Sequence, residues 1–97
     1  DGELDAQRAQ VLLNAERYEP AIAAAEKALT KGNLEKPGTM YLVIGMAELE
    51  QENYNPALQA FSKAKAFEDA RKAAAQWERY ATSEKEQAER IKQLQAS

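Results

Sequence analysis

Neither cysteine nor histidine occurs among the 97 residues. Their absence removes disulfides, thiol nucleophiles, the usual zinc ligand sets and any imidazole general base. It assigns no redox compartment, because a cysteine-free chain folds in oxidising and reducing surroundings alike. Only four glycines and three prolines punctuate the chain. No stretch shows the β-branched alternation of a strand, so Ala, Glu, Lys, Gln and Leu set a helical preference. Long apolar runs are missing as well. The longest, Tyr41-Leu-Val-Ile-Gly-Met-Ala47, falls far short of the ~20 residues that a membrane span needs. Basic charge is not in excess, since 13 Lys and Arg face 16 Asp and Glu for a net charge of -3. Neutralising phosphates takes a basic face, so nucleic acid is not an expected partner. No glycine-rich phosphate loop, metal-ligand cluster or nucleophile–base pair is present, so neither an enzyme nor a bound cofactor or metal is expected. With 30% charged residues and a mean hydropathy of -0.69, the composition is that of a water-soluble chain. It opens on Asp1 rather than Met, which reads as an excised or processed product.

What is present is a repeat. Tyr18-Glu-Pro-Ala-Ile-Ala-Ala-Ala-Glu-Lys-Ala28 returns 36 residues later as Tyr54-Asn-Pro-Ala-Leu-Gln-Ala-Phe-Ser-Lys-Ala64, with six of eleven positions identical. Self-similarity at this period marks a repeat architecture, in which each unit buries its apolar face against the next.

Periodicity and punctuation predict five helices. The first, about 4–15, would turn Leu4, Arg8, Val11, Leu12 and Ala15 to one face. The second, about 20–31, carries Pro20 in its first turn and ends at Gly32-Asn33, where a left-handed residue stops the helix. The third, about 39–51, is apolar nearly all round and should be the most buried. The fourth begins near Asn55-Pro56 with Ala57, Leu58, Ala60, Phe61, Ala64 and Phe67 in one stripe. The fifth, about 69–95, keeps a stripe of Trp77, Tyr80, Ala81, Ala88, Ile91 and Leu94, interrupted at Ser83-Glu-Lys-Glu86. The aromatic residues Tyr18, Tyr41, Tyr54, Phe61, Phe67, Trp77 and Tyr80 recur at helical spacing and are expected in the core.

Tyr41-x-x-Ile44-Gly45 followed by Tyr54-x-x-Ala57-x-x-x-Phe61-x-x-Ala64 resembles the tetratricopeptide repeat over residues 38–69. Residues 2–35 match in part. Asp5 and Arg8 stand where an aromatic and an aliphatic residue are usual, and Ala25 replaces the large aromatic. A further 36-residue step carries Tyr41 onto Trp77, so the last helix begins like a third repeat and then stands alone. Glu52 in place of the turn glycine and Asp69 in place of the closing proline depart from the family pattern. The resemblance implies an all-α domain over 1–97: antiparallel helix-turn-helix repeats, about 2–35 and 38–69, stacked as a short right-handed solenoid and closed by a long capping helix, about 69–95.

It also implies a non-catalytic module that binds a protein or peptide in a concave groove, as part of a scaffold or assembly factor. The family's groove-facing places fall on Ala6, Gln10, Leu13 and Asn14, on Thr39, Leu42, Met46, Leu49 and Glu50, and on Glu78, Thr82 and Lys85. An apolar ridge of Leu42, Met46 and Leu49 with polar ends suits an extended or helical peptide. One branch of the family grips terminal carboxylates with groove lysines and asparagines. Ala6, Gln10, Leu42 and Met46 at the matching places lack that chemistry, and such a partner is set aside. The alternative is a structural segment of a larger protein, whose apolar surface is covered intramolecularly or by homo-oligomerisation through the C-terminal helix. Short alanine- and glutamine-rich versions of the repeat point to a bacterial source. The compartment stays open between cytoplasm and periplasm.

Overall fold

In the computed structural model, which describes residues 1–97, α1 spans Glu3–Asn14, α2 Tyr18–Lys31, α3 Pro37–Glu50, α4 Tyr54–Ala64 and α5 Arg71–Ala96. Prolines and left-handed turn residues mark the boundaries from α1 to α4, and residues 65–70 separate α4 from α5 without either. Pro20, Pro37 and Pro56 all lie in the first turn of their helices, where the missing N–H would have no partner in any case. α2 ends as expected, with Gly32 at φ 78° and Asn33 at φ 56°. The turns inside the two helical pairs use glutamate instead: Glu16 at φ 60° and Glu52 at φ 62°. These positions are 36 residues apart, so the backbone repeats along with the sequence. A left-handed conformation costs a residue with a Cβ roughly 1–2 kcal/mol. At Glu16 the side chain offsets part of this by accepting a hydrogen bond from Tyr18 Oη at 3.3 Å.

Each helix packs against its neighbours in the chain. α1 also reaches α3, and α3 reaches α5, whereas α2 and α4 do not meet. Both pairs are antiparallel. Gly2, at the start of α1, donates its N–H to Gly32 O past the end of α2 at 3.0 Å, and Gly38, at the start of α3, lies against Phe67 and Ala70 beyond α4. The architecture is all-helical and repeat-like, compatible with a short stack that ends in a long helix.

α3 shares in two cores, and with seven buried residues it is the most buried helix, as expected. On one side Met40 and Val43 join Ala9, Ala21, Ala24, Ala25 and Ala28. On the other, Leu42 and Leu49 join Ala57, Phe61, Ala64, Ala70, Ala74 and Ala81. Gly45 faces the Phe61 ring directly, and Phe61 is fully buried and stacks on Trp77 at a centroid separation of 5.9 Å. Equivalent positions carry different chemistry in the two repeats. Tyr41 and Phe67 stack at 5.7 Å. The residues 36 positions earlier, Asp5 and Lys31, form an ion pair at 2.8 Å.

Two expectations are corrected here. The inward face of α1 is formed by Asp5 and Ala9, flanked by Ala6, Leu12 and Leu13, not by Leu4, Arg8 and Val11. Leu4 is 70% and Val11 66% exposed. Asp5 can be buried because Lys31 neutralises it, so a polar letter occupies a core position. The aromatic set is also not uniformly internal. Tyr18, Tyr41, Tyr54, Phe67 and Trp77 are half-buried, and Tyr80 is 53% exposed.

Candidate functional site

The groove-facing residues that the resemblance implies lie on α1, α3 and α5, and the structure treats them unequally. On α1, Gln10 and Asn14 are exposed and linked by a hydrogen bond from Gln10 Nε2 to Asn14 Oδ1 at 3.2 Å. Leu13 is half-buried beside them. Spacings of three and four residues keep these side chains on one side of the helix. On α3, Met46 and Thr39 are half-buried and Glu50 is exposed.

The apolar ridge is not open. Leu42 is only 7% and Leu49 9% exposed. Both belong to the cluster built with Ala74 and Ala81 of α5, against which Met46 and Trp77 also pack. Their burial follows from the packing of α4 and α5 onto α3, which no local pattern in α3 encodes. Of the three ridge residues, Met46 keeps the most surface. On α5, Glu78 is half-buried and accepts from Lys65 Nζ at 2.7 Å. The Thr82 hydroxyl donates to Glu78 O at 2.8 Å. Both polar groups therefore already have partners within the chain.

Gln10 and Thr39 come together at a depression of about 250 Å³ between α1 and α3, whose lining includes Ala6, Leu34, Lys36 and Met40. Glu50 borders a separate hollow of about 430 Å³ with Gln76, Trp77 and Tyr80. Glu78 and Thr82 border a shallow one on α5 alone. The expected residues therefore do not form one site: Gln10 and Thr39 share the α1–α3 depression, Met46 packs on the cluster shared with α4 and α5, Glu50 lines a hollow with α5, and Glu78 and Thr82 lie on α5 alone.

Sequence reasoning missed two features. Asp69 closes the start of α3: its Oδ1 accepts from Gly38 N at 3.3 Å, and its Oδ2 accepts from Thr39 N at 2.8 Å and from Thr39 Oγ1 at 3.0 Å. A carboxylate suits the positive end of a helix. It holds Thr39 in place from a loop 30 residues away, a separation over which no local signal operates. The second feature is a cleft of about 490 Å³ between α2 and α4, with Leu29, Tyr41 and Ile44 among its lining and Glu26, Glu48 and Lys63 among its charged residues.

The electrostatics also follow the repeat. The Lys31 ammonium, by hydrogen bonding, holds the Asp5 carboxyl below its usual range, with Lys27 and Arg8 adding to the effect against the opposing cost of burial. Tyr18 and Tyr54 are both raised, first by burial and then by the carboxylates of Glu16 and Glu52 respectively. Nowhere do three or more acidic side chains gather in a way that could hold a metal ion. No helix is long and apolar enough to cross a membrane. Comparison with protein-family models, curated proteins and solved structures gives no match to this chain.

Proposed function

We propose that the chain is a tetratricopeptide-like, non-catalytic interaction module that binds a peptide segment across the α1–α3 face. The observation that carries this is the depression joining Gln10 to Thr39 between two neighbouring helices, continued along those helices by Leu13, Asn14, Met46 and Glu50. Gln10 and Asn14 supply amide donors and acceptors for an extended backbone. Met46 supplies an adaptable apolar contact. Leu42 and Leu49 are buried in the cluster shared with α4 and α5, and Glu78 and Thr82 lie apart on α5. A structural role inside a larger assembly is favoured instead by one observation, the burial of Leu42 and Leu49 against α5, which satisfies within the chain the apolar surface a groove would have offered.

The test is a selection of peptides from a random display library on the wild-type chain. Gln10→Ala and Asn14→Lys, both at exposed positions, should each weaken the selected peptide by about tenfold or more, ~1.4 kcal/mol, while leaving the melting temperature nearly unchanged. Peptides that bind both variants as tightly as the wild type would remove the α1–α3 face from consideration.

A further inference from the structure

We propose that the chain pairs with a second copy of itself through α5, antiparallel, about a point between Lys85 and Glu86. α5 runs for 26 residues, and every residue from Glu89 onward is exposed, so its last turns stand clear of the helical body. Tyr80, Ile91 and Leu94 form an outward apolar series, with Leu94 76% exposed. Trp77, Tyr80, Glu84, Gln87, Ile91 and Leu94 follow one another at alternating steps of three and four, the spacing that lines a seam between paired helices.

The order of these residues fits an antiparallel copy of itself. Reversed about the midpoint, Trp77 falls opposite Leu94 of the second copy, Tyr80 opposite Ile91, and Glu84 opposite Gln87. Apolar side chains meet at both ends, and at the centre each carboxylate meets an amide able to donate to it. A parallel pair would instead set Glu84 against Glu84 in the seam, where like charges repel. The seam also continues an interface already present. Phe61 of α4 stacks on Trp77 at 5.9 Å, and Trp77 meets Tyr80 edge-on at 5.9 Å. The aromatic packing of the core therefore runs outward and stops at an exposed ring, where Ile91 of the second copy would extend it. The pairing uses the outward side of α5, where Trp77 and Tyr80 share a hollow with Glu50, and it does not rest on the depression at Gln10 and Thr39.

The absence of cysteine gives a clean background for testing both pairing and orientation. A Tyr80→Cys/Ile91→Cys variant should form a covalent dimer under mild oxidation. Within one helix these positions are about 16 Å apart, too far for a disulfide, so the link must join two copies. Ile91→Cys alone should not cross-link, because its two copies would be offset by a similar ~16 Å along the axis. In sedimentation equilibrium the wild type should show a concentration-dependent monomer–dimer mass. Leu94→Asp, clear of the body, should weaken the dimer about tenfold or more without changing the melt. A chain still monomeric at ~1 mM would overturn the proposal. So would a dimer that Leu94→Asp leaves intact, or one in which Ile91→Cys cross-links on its own.

Discussion

Replacing Gly45 with alanine sets two known effects against each other at one atom. A Cβ at Gly45 would lie 2.6 Å from Cδ1 and 2.8 Å from Cζ of Phe61, well inside van der Waals contact. The ring has little room to retreat, since it is fully buried and backed by Trp77. Overpacking of this kind costs about 1–3 kcal/mol. Helix propensity acts the other way and favours alanine over glycine by about 0.8–1.0 kcal/mol. The balance is a net loss of about 1 kcal/mol, which for a domain of this size lowers the melting temperature by about 4–8 °C. Thermal and urea melts read it directly. In a Phe61→Leu background the ring is gone, so the same alanine should be neutral or stabilising, and the cycle should give a coupling of about 1–2 kcal/mol. A Gly45→Ala variant that melts higher than wild type would show that propensity alone governs the site, and that the close approach of α3 and α4 is not as described.

Other outcomes are expected in the same assays. Asp69→Ala removes three hydrogen bonds at the start of α3 and should cost about 1–2 kcal/mol, as loss of a helix cap does; an unchanged melt would show that water replaces the carboxylate. Glu52→Gly relieves a left-handed residue and should stabilise by up to about 1 kcal/mol after the entropy of glycine is set against it. A lower melting temperature would mean that the Glu52 side chain matters more than its backbone. Tyr18 and Tyr54 have folded-state pKa values raised above the ordinary value near 10. The unfolded chain loses these protons first, so their contribution is complete below pH ~10 and is lost as pH rises through the raised values. Asp5 is lowered, so its contribution is present above pH ~4 and is lost as pH falls through the lowered value. Melts of Tyr18→Phe/Tyr54→Phe should lose the alkaline decline, and those of Asp5→Asn should lose part of the acid one. Variants that track wild type at both extremes would place the titrating groups elsewhere.

The helices and their order were legible because proline, the Gly32-Asn33 stop and the 36-residue repeat are local signals. The burial of Phe61 was legible from the aromatic stripe, but its approach to Gly45 was not part of the internal repeat, because Ala9 and Ala25 stand at the matching places. The inward face of α1 was misjudged because an apolar count treats Asp5 as solvent-facing, although its repeat partner Tyr41 marks the position as internal. Lys31 could be identified as its counter-ion only once α1 and α2 were seen side by side. The ridge was misjudged for a different reason. Whether Leu42 and Leu49 face solvent depends on how α4 and α5 pack onto α3, which is set by contacts between distant segments. Asp69 was noted only as a departure from the repeat pattern, and its hold on the start of α3 was missed because its partners lie 30 and 31 residues away.

The most direct test of the α1–α3 face is amide chemical-shift mapping of the labelled chain titrated with a library-selected peptide. The account predicts that the shifted resonances cluster at Gln10, Leu13, Asn14, Thr39, Met46 and Glu50, with Leu29, Ile44 and Lys63 of the α2–α4 cleft unmoved. Shifts confined to that cleft, or to α5 beyond Ala88, would contradict it.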